Sequence, residues 1–174
     1  MSLIVEDGSI VPGANSFVTL ADARTRAAIY GLSLPADDTE AENALITGAM
    51  WIKQQESELQ GARIDAAQTL SYPRTPVYLY SFLLASDNIP QELIDSQVIA
   101  AVEQGVNGGT LSFTSQTNNI KREKLDGVGE KEYYSGGKST QLSSTMLLAY
   151  STLEPLTKSA LSSSGGGLCL QRGC

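Results

Sequence analysis

The chain has 174 residues, a formal net charge of −7 and no histidine. The missing imidazole excludes Ser-His-Asp and Cys-His catalysis, Cys/His zinc sites and histidine general-base chemistry. The negative balance disfavours a protein that grips phosphates through clustered Lys and Arg.

Charge is unevenly spread. Residues 1–110 hold 14 acidic and 5 basic side chains, whereas residues 111–174 hold 5 acidic and 7 basic ones. An acidic body thus carries a mildly basic C-terminal third, a polarity suited to head-to-tail contact between copies. Both cysteines, Cys169 and Cys174, lie in the last six residues and close no loop in the body. They read as free thiols in a reducing compartment. The N-terminus lacks a basic stretch before its short apolar run, so no secretory signal is expected. No segment approaches the roughly 20 apolar residues that span a bilayer, and no membrane partner is expected.

In chain order, the first predicted helix follows Thr19. Thr19 and Asp22 stand at capping-box spacing, Leu20, Ala23, Ala27 and Tyr30 recur at helical period, and Gly31 stops the run. A second helix is predicted from a capping box of Thr39 and Glu42, with Asp37 and Asp38 just before it. Its buried stripe is Ala41, Leu45, Gly48, Ile52 and Leu59, closed by Gly61, with Trp51 read as core. From Gly61 to Pro90 the chain reads as an irregular connection. Tyr72-Pro73-Arg74-Thr75-Pro76 excludes a regular helix there. The aromatic run that follows, including Tyr78 and Tyr80, offers exposed surface suited to a protein partner.

A third helix begins near Pro90, with Leu93, Ile94, Val98, Ala101 and Val102 as its stripe. Leu111-Ser112-Phe113-Thr114-Ser115 then alternates with period two, and a β-hairpin is predicted over about 111–125. A fourth helix is expected over about Thr140 to Tyr150, with Pro155 after its end. From Ser159 the composition is that of a flexible Ser/Gly linker, ending in a hydrophobic hook of Leu168 and Leu170 beside Arg172. The expected fold is therefore mainly α: a small bundle of three to four helices with an inserted β-hairpin and a flexible C-terminal tail. Its domain spans 1–158 and its docking tail 159–174.

Motifs that could carry chemistry dissolve on inspection. Gly136-Gly137-Lys138-Ser139-Thr140 ends like a phosphate loop, but the first glycine of that motif is replaced by Glu132 and no strand precedes it. The Asp37-Asp38 pair reads as helix-start chemistry. No catalytic residue, cofactor site or metal site is predicted. Lys121, Arg122 and Lys124 form the densest basic cluster, diluted by Glu123 and Asp126, with Tyr133 and Tyr134 nearby. A nucleic-acid patch needs more positive charge interleaved with aromatics.

Several segments in fixed order carry a resemblance. They are Glu6-Asp7-Gly8, Pro12-Gly13-Ala14-Asn15-Ser16, Gly61-Ala62-Arg63 with Gln68 and Leu70, and Tyr72-Pro73-Arg74. Ile89-Pro90-Gln91-Glu92-Leu93, Tyr133-Tyr134 and Leu153-Glu154-Pro155-Leu156 follow. The pattern resembles tailed-phage head–tail connector proteins, a family that bears the label "DnaT-like ssDNA-binding". The resemblance implies a structural virion protein and not an enzyme: a twelvefold ring of copies under the portal protein that extends the DNA channel. It would dock the next neck or tail-completion component and let genomic duplex DNA pass without specific binding. The implied location is the virion neck, after assembly in the host cytoplasm. Partner contacts are then expected at Lys121, Arg122 and Lys124, at Tyr78 and Tyr80, and at Leu168, Leu170 and Arg172. The alternative that the label implies is a single-stranded-DNA-binding replication accessory protein.

Overall fold

The structure, a computed structural model, describes residues 2–106 and 143–163. Among these residues the architecture is mainly helical: α1 (Leu20–Ile29), α2 (Asp38–Gln54), α3 (Gln91–Val106), α4 (Ser144–Leu153) and α5 (Lys158–Ser163). A 3-10 turn over Glu154–Leu156 joins α4 to α5. Between α2 and α3 lie two short antiparallel pairs, β1 (Ala62–Arg63) with β2 (Arg74–Thr75), and β3 (Tyr78–Leu79) with β4 (Phe82–Leu83).

Helix α3 is the centre. Its buried residues run almost without interruption from Leu93 to Glu103, so α2 covers one side and α4 another. The α2–α3 approach is close because Gly48 faces the Gln97 carbonyl, where a Cβ would come within 2.5 Å. Against α4, the Ser96 hydroxyl donates to the Ala149 carbonyl at 3.0 Å. Gln97 makes the third tie, accepting from Phe17 N–H and donating to Leu45 O, each at 2.9 Å. One apolar cluster gathers Trp51, Leu59, Tyr72, Leu93 and Leu153, and a second gathers Ala27, Leu45, Val98 and Val102. The Trp51 and Tyr150 rings meet edge-on with centroids 5.0 Å apart, linking α2 to α4.

Local expectations fare as the local chemistry dictates. Thr19 caps α1, accepting from Asp22 N–H while its hydroxyl donates to the Asp22 carboxylate at 2.7 Å. Gly31, at φ +67°, ends that helix as read. Helix α2 begins two residues earlier than its Thr39 box implies. Asp37 is the cap, accepting from Glu40 N–H at 3.0 Å. A carboxylate already placed to bond the third helical N–H leaves Thr39 inside the first turn. Helix α4 begins at Ser144 with Ser143 as its cap. Residues 159–163, the start of the segment read as linker, belong to α5, whose first residue is tied down by Lys158 N–H donating to Glu58 O at 2.8 Å. The hairpin expected at 111–125 and the tail beyond Ser163 lie outside the described residues.

Candidate functional site

The connection between α2 and α3 is irregular in outline, as its prolines require, yet it is tightly held. Glu56 ion-pairs with both Arg63 and Arg74, the latter at 3.1 Å. The Glu56 carboxyl is held below its ordinary range, first by the hydrogen bond from Arg63. Arg74 is itself buried and donates to the carbonyls of Gln60 and Gly61 at 2.7 and 2.8 Å. Gly61 sits at φ +62°, and a Cβ there would come within 2.5 Å of the Pro76 carbonyl. These contacts fix the base from which β3 and β4 project.

Tyr80 and Ser81, both at positive φ, make the two-residue turn of the β3–β4 hairpin. That mirror-image turn matches the natural twist of paired strands. Tyr78 faces Leu83, and Leu79 faces Phe82. Leu79 packs on the core, while Tyr78, Tyr80, Phe82 and Leu83 are exposed at 42, 69, 74 and 61%. Gln60 pins the hairpin to the 3-10 turn: it accepts from Tyr78 N–H and donates to Pro155 O, both at 2.9 Å.

Tyr80 and Pro155 form a ridge between two concavities. On one side is a groove of about 550 Å³ lined by Tyr78, Glu154, Ala160 and Leu161. On the other is a cleft of about 310 Å³ lined by Tyr30, Glu92, Asp95 and Thr152. In the cleft, the Tyr80 hydroxyl donates to Glu92 at 3.3 Å and the Tyr30 hydroxyl to Asp95 at 3.1 Å. Both phenols are held above their ordinary pKa, Tyr80 chiefly by the Glu92 charge and Tyr30 chiefly by burial. Asp95 also pairs with Arg26 at 2.7 Å.

Of the residues predicted to meet partners, Tyr78 and Tyr80 stand together on this hairpin. Lys121, Arg122, Lys124, Leu168, Leu170 and Arg172 lie outside the described residues. Sequence reading missed Phe82 and Leu83, and also Glu92, Asp95 and Glu154, which come from two separate helical segments, α3 and the 3-10 turn. Only the double tyrosine gave a local signal. Among the described residues no group of His, Cys, Asp and Glu could hold a metal ion, and no helix is long and apolar enough to cross a membrane.

Cations are engaged wherever the described residues place them. Arg24 pairs with Asp38, Arg26 with Asp95, and Arg63 and Arg74 with Glu56. Lys53 and Lys158 donate to the carbonyls of Thr69 and Ser57. The described residues hold 15 acidic and 6 basic side chains, a balance of −9. The remaining residues hold 4 acidic and 6 basic, a balance of +2.

Among the described residues, then, an acidic helical body carries one aromatic hairpin. The sequence matches, over residues 1–173, the family described as "Putative DnaT-like ssDNA binding protein". The chain belongs to that family. No curated protein and no solved structure matches it. This corrects the reading of the chain as a virion head–tail connector of a phage neck. The family is described by single-stranded DNA binding, and nothing in the match points to a virion, a portal or a neck.

Proposed function

We propose that this protein is a single-stranded-DNA-binding accessory protein whose phosphate contacts come from the basic cluster Lys121, Arg122 and Lys124. The observation that carries the reading is the family match along 173 residues of the chain. The charge partition supports it: the arginines of the helical body are committed to its own carboxylates, and the positive excess resides in the rest of the chain. Tyr133 and Tyr134 stand within a dozen residues of the cluster and supply stacking surfaces. Base–aromatic stacking contributes about 1–3 kcal/mol per base and tolerates any sequence. The acidic body then serves as the part that does not adhere, which confines binding to one segment.

The test is fluorescence anisotropy of a labelled oligo-dT with the full chain across a salt series. Binding should weaken as salt rises, because each phosphate neutralised on a single strand contributes about −0.7 to the slope of log K against log salt. Reversing Lys121, Arg122 and Lys124 to Glu should cut affinity at least tenfold and flatten that slope by about 2. Absent binding at low salt, or an unchanged slope in the triple variant, overturns the reading.

A further inference from the structure

Four exposed large apolar side chains on one six-residue hairpin are unusual on a monomer surface. Tyr78 and Leu83 pair on one face, Phe82 lies with Leu79 on the other, and Tyr80 stands in the turn; a hairpin tip so exposed and apolar marks an interaction site. The folding of the chain does not require these side chains, since Leu79, Gln60 and Val77 already anchor the hairpin. What surrounds the patch specifies the partner. Glu154 lines the groove, Glu92 and Asp95 line the cleft, and Arg26 is bound to Asp95. Such a lining repels a phosphate backbone, so the aromatic hairpin is a poor stacking platform for nucleic acid. It attracts a cation instead. Tyr80 stands on the ridge, where its ring face and the adjoining carboxylates both favour an ammonium or guanidinium group.

We propose that the β3–β4 hairpin is a docking site for a basic, apolar-bearing segment of a partner protein. An apolar side chain of that segment sits in the groove against Tyr78 and Leu161. A neighbouring lysine or arginine crosses Tyr80 and ends between Glu92 and Asp95. The two concavities share Tyr80 and Pro155, so residues close together in the partner's chain reach both at once. Apolar anchoring supplies affinity here, and the carboxylates supply selection against acidic partners. The site shares no residue with the basic cluster proposed to hold DNA, so one chain would bridge a protein and a strand.

The full chain is titrated with three fluorescent probes: a peptide alternating arginine and leucine, its counterpart alternating glutamate and leucine, and oligo-dT. Two double variants are compared with the parent: Tyr78→Ser with Tyr80→Asn, and Glu92→Gln with Glu154→Gln. Asparagine tolerates the positive φ of position 80, and unchanged circular dichroism and Trp51 emission verify folding. The arginine peptide should bind the parent at least tenfold tighter than the glutamate peptide, and each double variant should weaken it at least tenfold. Oligo-dT binding should stay the same in the aromatic variant. Equal binding of the two peptides, or arginine-peptide binding unaffected by both variants, overturns the proposal. So does loss of oligo-dT binding in the aromatic variant with the peptide retained, which would make the hairpin a nucleic-acid site.

Discussion

Gln60 holds Tyr78 at one remove from the core: its side-chain oxygen accepts the Tyr78 N–H at 2.9 Å, while its amide nitrogen grips Pro155 O at the same distance. The side chain is buried, so neither bond can be replaced by bulk water. An exposed hairpin with a two-residue turn is only marginally stable by itself. Gln60 therefore does for β3 what a third strand would do in a larger sheet.

Replacing Gln60 with Ala should cost about 1–3 kcal/mol, the penalty for leaving a buried donor and acceptor unpaired. The loss should be local as well as global. Hydrogen exchange of the Tyr78 and Leu84 amides should accelerate far more than that of α3. Uniform acceleration across the chain would mean that Gln60 stabilises the whole fold and not the hairpin in particular.

Acid should weaken the base of the same hairpin. The Glu56 carboxyl lies below its ordinary 4.5, owing first to the hydrogen bond from Arg63. A lowered folded value means that Glu56 contributes stability above about pH 4.5 and loses it as pH falls through the folded value. Urea unfolding followed by Trp51 emission should therefore show stability falling below that pH. In Glu56→Gln the curve should start lower at neutral pH and fall less steeply in acid. Parallel curves for the two proteins would remove Glu56 from the acid response.

How much of this could be read in advance follows the range of each signal. Thr19 and Asp22 announce α1 because a cap and its partner are three residues apart and need nothing else. Trp51 and the stripe through Leu45 and Ile52 announce the buried face of α2 in the same local way. The α2 start was misplaced because Asp37 and Thr39 both offer caps, and only the backbone decides between them. The β3–β4 turn escaped notice because Tyr80-Ser81 lacks the Gly or Asn that usually marks such a turn. Residues 159–163 have linker composition, yet α5 forms there on an anchor, Lys158 N–H to Glu58 O, that spans a hundred residues of sequence. The acidic cleft was the least legible of all. Tyr30, Tyr80, Glu92 and Asp95 meet only after α1, the hairpin and α3 have packed.

Gly48 sets the spacing of α2 and α3. A Cβ at this position would lie 2.5 Å from the Gln97 carbonyl and 3.2 Å from the Ala101 nitrogen, both backbone atoms of a central helix. Alanine raises intrinsic helix propensity by about 1 kcal/mol over glycine, so an exposed site would gain from the change. Here overpacking opposes that gain, at about 1–3 kcal/mol, since neither backbone atom can turn aside. Gly48→Ala should lower Tm, and Gly48→Val should lower it further. A raised Tm for the alanine variant would show that the two helices separate freely at this point.

Gln97 is the polar residue whose loss should be felt most widely. It lies fully buried, accepting from Phe17 N–H and donating to both Ser16 Oγ and Leu45 O, each at 2.9 Å. Three segments thus meet on one side chain: the loop before α1, helix α2, and α3 itself. Leucine has similar bulk and would fill the space, but it would strand the Phe17 N–H and deprive the Leu45 carbonyl of the Gln97 donor. An unpaired buried N–H costs about 1–3 kcal/mol, and burial of more apolar surface offsets only part of it. Gln97→Leu should therefore destabilise the protein, and Gln97→Glu should do so more severely at neutral pH. The carboxylate keeps the acceptor for Phe17 but loses both donors and adds a buried charge. Urea titrations should rank the three proteins wild type, Gln97→Leu, Gln97→Glu, and lowering the pH should narrow the gap between the two variants as the new carboxylate takes up a proton. A leucine variant as stable as the parent would mean that packing alone holds these three segments together.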